Sequence, residues 1–252
     1  MRLLVLGVGN TSLFGAVFTG EKLGALFRAP IAQAGSVTEN PSGLRSIRGK
    51  IDRAVLCSVV PALTRGIMDD IKKHCGVVPH VLTADAPHGL KIGYTQPLAL
   101  GTDRLAAALG ARALFPGRHV IVVDCGTATT VTAVHRDGIV LGGAIFPGLA
   151  LWPEMLAART AQLPRVALRR PSTALGRSPS AGIAAGVYHG HVGAIRELVT
   201  RVKAEAFPRA SVVIVGTGGH AARFTKDKIF NVIEPALVLR GLRAFAGSTA
   251  AA

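Results

Sequence analysis

The sequence predicts an α/β fold built from two similar halves, on three observations. Short aliphatic runs that end in Gly, Pro or polar residues alternate with Ala/Leu-rich stretches of helical period. The length, 252 residues, lies between one large domain and two small ones, at roughly 150 residues per domain. Residues 3–17, LLVLGVGNTSLFGAV, repeat in character as residues 120–134, VIVVDCGTATTVTAV, at an offset of 117. Each copy has four aliphatic residues, a small turn with Gly9 or Gly126, small hydroxyl residues and an apolar stretch closing on Ala-Val. The boundary is expected near Pro116-Gly117, giving domains of residues 1–116 and 117–252.

The elements follow in order. Arg2–Leu6 reads as a buried first strand. Its apolar run resembles a signal peptide only briefly, because it stops at Gly7 and Gly9 with no small-residue cleavage site after it. Ala54–Val59, His119–Val123, Val131–His135 and Val212–Val215 are further strands. Thr102–Leu114 is a helix, with Leu105, Leu109 and Leu114 near helical spacing. Ala181–Phe207 is a longer helical stretch, with Ile195, Leu198, Val199 and Val202 on one face, expected to break near Gly190–Gly193 and to end before Pro208.

Composition narrows the class. About half the residues (49%) are apolar and 17% are charged, enough to bury a full core. No apolar run approaches the roughly 18 residues that span a bilayer. There are 29 basic and 14 acidic residues, a formal charge of +15. That balance raises a nucleic-acid reading, but the 21 Arg and 8 Lys are scattered and the chain has only 12 aromatics, so no basic, aromatic-interleaved stripe exists. The basic surface instead suits small anions such as nucleotides. Cys57, Cys75 and Cys125 show no CxxC spacing, which argues against disulfides and zinc and for a reducing, cytoplasmic setting without membrane association.

The chemistry sits at strand and helix ends. Gly9-Asn10-Thr11-Ser12 and Gly126-Thr127-Ala128-Thr129 are turns whose glycines admit a close phosphate and whose hydroxyls add donors; each also suits an ordinary hairpin. One such turn per half suggests a nucleotide held in a cleft between domains. No Gly-Lys-Ser/Thr follows either turn, so neither is a P-loop. Asp124 closes a strand beside the second turn, either contacting a cation or capping the turn. Asp103 opens a helix, either as an N-terminal helix charge or as a general base, with Arg104 beside it for an anionic substrate.

An ordered set of motifs along nearly the whole chain resembles the type III pantothenate kinases of the acetate and sugar kinase/Hsp70/actin superfamily. It runs through Gly9-Asn10-Thr11, Ser58-Val-Val-Pro61-Ala-Leu-Thr64, Gly89-Leu-Lys-Ile-Gly-Tyr94, Gly101-Thr-Asp-Arg104 and Asp124-Cys-Gly-Thr-Ala-Thr129. It continues through Gly142-Gly-Ala-Ile-Phe-Pro-Gly148, Arg159-Thr-Ala-Gln-Leu-Pro164, Gly218-Gly219 and Leu237-Val-Leu-Arg-Gly-Leu242. The resemblance implies two duplicated ribonuclease-H-like (actin-like ATPase) domains, a homodimer, and phosphorylation of pantothenate by ATP in the first step of coenzyme A synthesis. It implies Asp103 as the base, and Tyr94, Gly101, Thr102, Asp103 and Arg104 as the pantothenate pocket. Gly7, Val8, Gly9, Asn10, Thr11, Ser12 and Thr127 would meet ATP. Asp124 would hold a monovalent cation, K+ or NH4+, and Mg2+ would accompany ATP.

Two departures stand out. The resemblance places an acid where the chain has Gly7, and a Thr on the substrate where it has Pro179. Together they set the expectation of a reduced activity. They also keep a second reading open, a degenerate kinase homologue that binds nucleotide or pantothenate as a regulator.

Overall fold

The computed structural model describes residues 1–31, 44 and 47–248. They form two units, each an α/β layer structure with its own sheet and core. The first takes Met1–Pro116, Gly138–Val140 and the chain from Ala236; the second takes Gly117–Asp137 and Leu141–Pro235.

In the first unit β1 (Arg2–Val8) runs through the turn at Gly9 into β2 (Ser12–Thr19), and the two pair antiparallel. β3 (Lys22–Leu23) and β4 (Phe27–Pro30) each add antiparallel to β2. On its other edge β1 pairs in parallel with β5 (Arg53–Ser58). The helix α1 (Pro61–Cys75) then crosses to β6 (His80–Val81), parallel to β5. Leu63, Ile67 and Ile71, four apart, are the buried stripe of α1, and they pack with Leu4, Leu6 and Leu56 of the sheet. After β7 (Lys91–Ile92) and a 3-10 turn at Pro97–Ala99 comes α2 (Thr102–Leu114).

The second unit repeats the plan. β8 (His119–Cys125) pairs antiparallel with β9 (Ala128–Val134), and β10 (Ile139–Pro147) lies beyond β9. The first two residues of β10 pair in parallel with β7 and count with the first unit. Two helices follow, α3 (Leu151–Arg159) and α4 (Pro179–Ala206). β11 (Val212–Thr217) is parallel to β8, and β12 (Val232–Ile233) is parallel to β11. Five strands of each sheet follow one order, β3-β2-β1-β5-β6 and β10-β9-β8-β11-β12; β4 adds to β2 in the first sheet, and β7 lies beyond β10 in the second. The repeat at 117 residues is also structural: Arg2–Val8 displaced by that number is His119–Cys125, end to end. Ile121, Val123 and Val131 of this sheet pack on Val187, Ile195 and Val199 of α4.

Two differences from the sequence reading have local causes. α4 runs unbroken through Gly190–Gly193. Burial of one face outweighs the glycine penalty, and Gly190 leaves room for the Trp152 ring, which a Cβ there would meet at 3.3 Å. The closing helix α5 (Leu237–Ser248), assigned by sequence to the second half, packs in the first unit against α2. A Cβ on Gly110 would overlap the Leu237 carbonyl, and one on Gly241 would overlap the Ala106 carbonyl, so the two backbones cross with no side chain between them.

Candidate active site

In the first unit the functional side chains gather where β1, β5 and α2 meet. The turn Gly9-Asn10-Thr11 closes on itself, the Gly9 amide donating to the Ser12 carbonyl at 3.0 Å, with Asn10 and Thr11 exposed. Val8 pairs with Ser58 at the end of β5, and the Val59 amide donates to the Val8 carbonyl. The Ser58 carbonyl in turn accepts the Thr102 hydroxyl at 2.9 Å. Ser58 thereby ties the first turn to the start of α2. Sequence reasoning quoted Ser58 within a motif but gave it no role.

Asp103 lies in the first turn of α2, half-buried, and its Oδ1 accepts the Arg104 amide at 2.7 Å. The carboxylate thus stands at the N-terminal end of the helix, beside the unpaired amides of its first turn. Burial first, and the Asp103 charge second, push the neighbouring Cys57 thiol far above its usual range, which leaves that cysteine an inert wall. Arg104 is buried; its Nη1 donates to the Tyr94 hydroxyl at 2.5 Å and its Cζ lies 5.6 Å from the Tyr94 ring centroid. The structure thus brings Tyr94, Gly101, Thr102, Asp103 and Arg104 into one constellation.

The second unit carries the other turn. Asp124, half-buried at the end of β8, stands opposite Thr130 on β9 and beside Thr217 on β11. Gly218, at φ +84°, lies so close that a Cβ would overlap the Asp124 carboxylate. Gly148 does the same beneath the turn: its amide donates to the Thr127 carbonyl at 3.0 Å, and a Cβ would overlap the Gly126 and Thr127 carbonyls. Asp124 and Thr127 therefore flank one glycine-backed turn. The carboxylate is a hard oxygen donor, the type of group that suits a hard cation.

Among the described residues no group of three His, Cys, Asp or Glu side chains could hold a metal ion. At the first turn, Gly7 offers no ligand, and the Phe14 ring lies where a residue-7 side chain would start. The first turn does not fit a protein-held divalent ion.

Two more residues complete the account of the second unit. Pro179 is the first residue of α4, and Ser178 caps that helix, its hydroxyl accepting the Ala181 amide at 3.2 Å. Pro179 is brought to a helix start, and no bond links it to the Thr127 turn among those described. His191, to which sequence reasoning gave no role, is fully buried, and its Nε2 bonds the Thr129 hydroxyl at 3.1 Å. Phe146, Trp152 and Phe224 surround its ring. Burial first, and the charge of His220 second, push its pKa down to about 4, so it is neutral at pH 7.

Residues 3–201 match the type III pantothenate kinase family. A type III pantothenate kinase 1 of Francisella tularensis subsp. holarctica (strain OSU18) is 37% identical over 250 residues, covering 96% of this chain and 97% of that protein. The type III pantothenate kinase of Legionella pneumophila (strain Corby) is 36% identical over 251 residues, 96% of each chain. The activator of 2-hydroxyisocaproyl-CoA dehydratase from Clostridium difficile, solved with ADPNP, shares the fold at a TM-score of 0.55 and 13% identity, over 100% of this chain and 97% of that one. With one five-strand order in both units, the chain has duplicated ribonuclease-H-like domains, and it belongs to the type III pantothenate kinase family.

Proposed function

We propose a division of labour between the two turns for the family's reaction, ATP-dependent phosphorylation of pantothenate to 4'-phosphopantothenate, the first step of coenzyme A biosynthesis. The observation that carries it is Asp103, a carboxylate in the first turn of α2, beside the Arg104–Tyr94 pair and tied to the Gly9–Ser12 turn through Ser58. Asp103 takes the proton from the pantothenate hydroxyl. That oxygen attacks the γ-phosphorus in line, and ADP leaves with the displaced bond's electrons. Buried Arg104, steadied by Tyr94, supplies the positive charge that holds the pantothenate carboxylate. Residues 7–12 and Thr127 are the residues we assign to the phosphates. Asp124 would hold a monovalent cation, which would supply counter-charge to the phosphate chain. Magnesium would accompany ATP as its counter-ion, without a protein carboxylate to hold it at the first turn. Pro179, behind the Ser178 cap of α4, is a further residue we assign to the substrate. The comparisons lend nothing to the expectation that Gly7 and Pro179 lower the activity.

Asp103→Asn keeps the shape and removes the base. Turnover should fall by about 10²–10⁴-fold, while the ATP dissociation constant from calorimetry stays within about twofold. Unchanged turnover would remove Asp103 as the base.

The same reading includes a homodimer in a reducing cytoplasm. Exposed apolar side chains of β10 and α3, with Ile145 at 63% and Met155 at 54%, support the first, and the three free thiols support the second. Light scattering checks the dimer; a monomer at every concentration would contradict it.

A further inference from the structure

The space above Gly7 is filled, and what fills it leads to a charge. β1 and β2 pair so that Gly7 faces Phe14, and directly opposed residues of an antiparallel pair share a face of the sheet. Having no side chain, Gly7 lets the Phe14 ring lie over its α-carbon, so closely that a Cβ would overlap the ring. On the next strand, β4 pairs with β2 so that Arg28 stands opposite Phe14 on the same face. The Arg28 Cζ lies 5.4 Å from the Phe14 centroid, and its Nη1 donates to the Ser12 hydroxyl at 3.1 Å. Gly7, Phe14 and Arg28 thus form a stack across three strands, which carries an exposed guanidinium to the residue that closes the first turn.

We propose that Arg28 is a phosphate-binding residue, which places a fixed cation at the first turn in a chain that has no carboxylate there to hold a divalent one. Its planar fork has five N–H donors, of which Ser12 engages one; the others match two phosphate oxygens at once. Stacking on Phe14 restricts the side chain beforehand, which lowers the entropy cost of holding it on a ligand. The glycine is part of the device: any larger residue at position 7 forces the Phe14 ring aside, and the platform under Arg28 goes with it. Gly7→Asp alone is therefore no simple restoration of an acid.

This inference rests on reading the first turn as a phosphate site, and one calorimetric series separates the two. ATP and AMP binding are measured for the wild type, Arg28→Ala, Arg28→Lys and Asn10→Ala. Arg28→Ala should weaken ATP by about tenfold or more, the size of a charge-assisted hydrogen-bonded contact, with AMP within about twofold. Arg28→Lys, which keeps the stem and the charge but lacks the fork, should recover part of the loss. It also guards against a folding defect in the alanine variant. The Arg28 contribution should shrink as salt is raised, since the group is exposed. If Arg28→Ala weakens ATP and AMP equally, the residue acts through packing and the proposal fails. If Arg28→Ala is neutral while Asn10→Ala costs ATP affinity, the proposal fails and the turn reading stands. If neither matters, both fall.

Discussion

Pro179 and Gly7 show how single departures from a motif are absorbed by their surroundings. Pro179 takes the first helical position, where a missing N–H costs nothing, and Ser178 supplies the cap. Gly7 makes room for a ring. His191 is the complementary case, a buried polar residue that serves the Thr129 end of a turn. Its folded pKa of about 4 lies below the ordinary 6.5. Between these values the unfolded chain binds the extra proton and the folded one does not. His191 therefore contributes stability above pH 6.5 that is lost as pH falls towards 4. In thermal melts from pH 7 to 4.5, His191→Phe should lose less of its midpoint on acidification than the wild type. At pH 7 it should be less stable by about 1 kcal/mol, because the Thr129 hydroxyl loses its partner. Equal acid sensitivity would contradict the assignment. The candidates Asp103, Asp124 and Thr127 stand out in sequence because short polar groups at strand and helix ends do, and Arg104 stands out as the charge beside Asp103. Arg28, Ser58 and His191 do not, since their partners lie 16, 44 and 62 residues away.

At the level of elements, the position of Asp103 depends on how α2 is held. The α2–α5 crossing is a backbone-to-backbone contact at Gly110 and Gly241. Gly241→Val would drive a side chain into the Ala106 carbonyl, and should cost at least about 1–3 kcal/mol and lower kcat along with the melting midpoint. Gly186→Ala, on the open face of α4 where a Cβ meets nothing within 4 Å, should be neutral or slightly stabilising. A Gly241→Val protein with wild-type stability would mean that the crossing is loose. Strands β1, β5, β8 and β11 were readable from sequence because buried parallel and central strands are continuous aliphatic runs. β4 was not: four residues ending in Pro carry no periodicity, and only pairing with β2 makes them a strand. The unbroken α4 went the other way, since its glycines signal a break that packing overrides.

For the whole molecule, duplication is the organising fact. A fifteen-residue similarity at an offset of 117 corresponds to two sheets that share a five-strand order, each with a glycine turn after its first strand. The return of the last helix to the first unit was hidden, because sequence order says nothing of which core a terminal helix joins. The +15 charge is scattered along the chain and suits small anionic substrates. The central claim is phosphoryl transfer from ATP to pantothenate with Asp103 as base. It is tested most directly by 31P NMR and mass spectrometry of the purified protein with pantothenate, Mg-ATP and potassium. The account predicts one 4'-phosphopantothenate per ADP formed, at a rate about 10²–10⁴-fold lower with Asp103→Asn. ATP consumed without that product, or product formed equally by the variant, would contradict it.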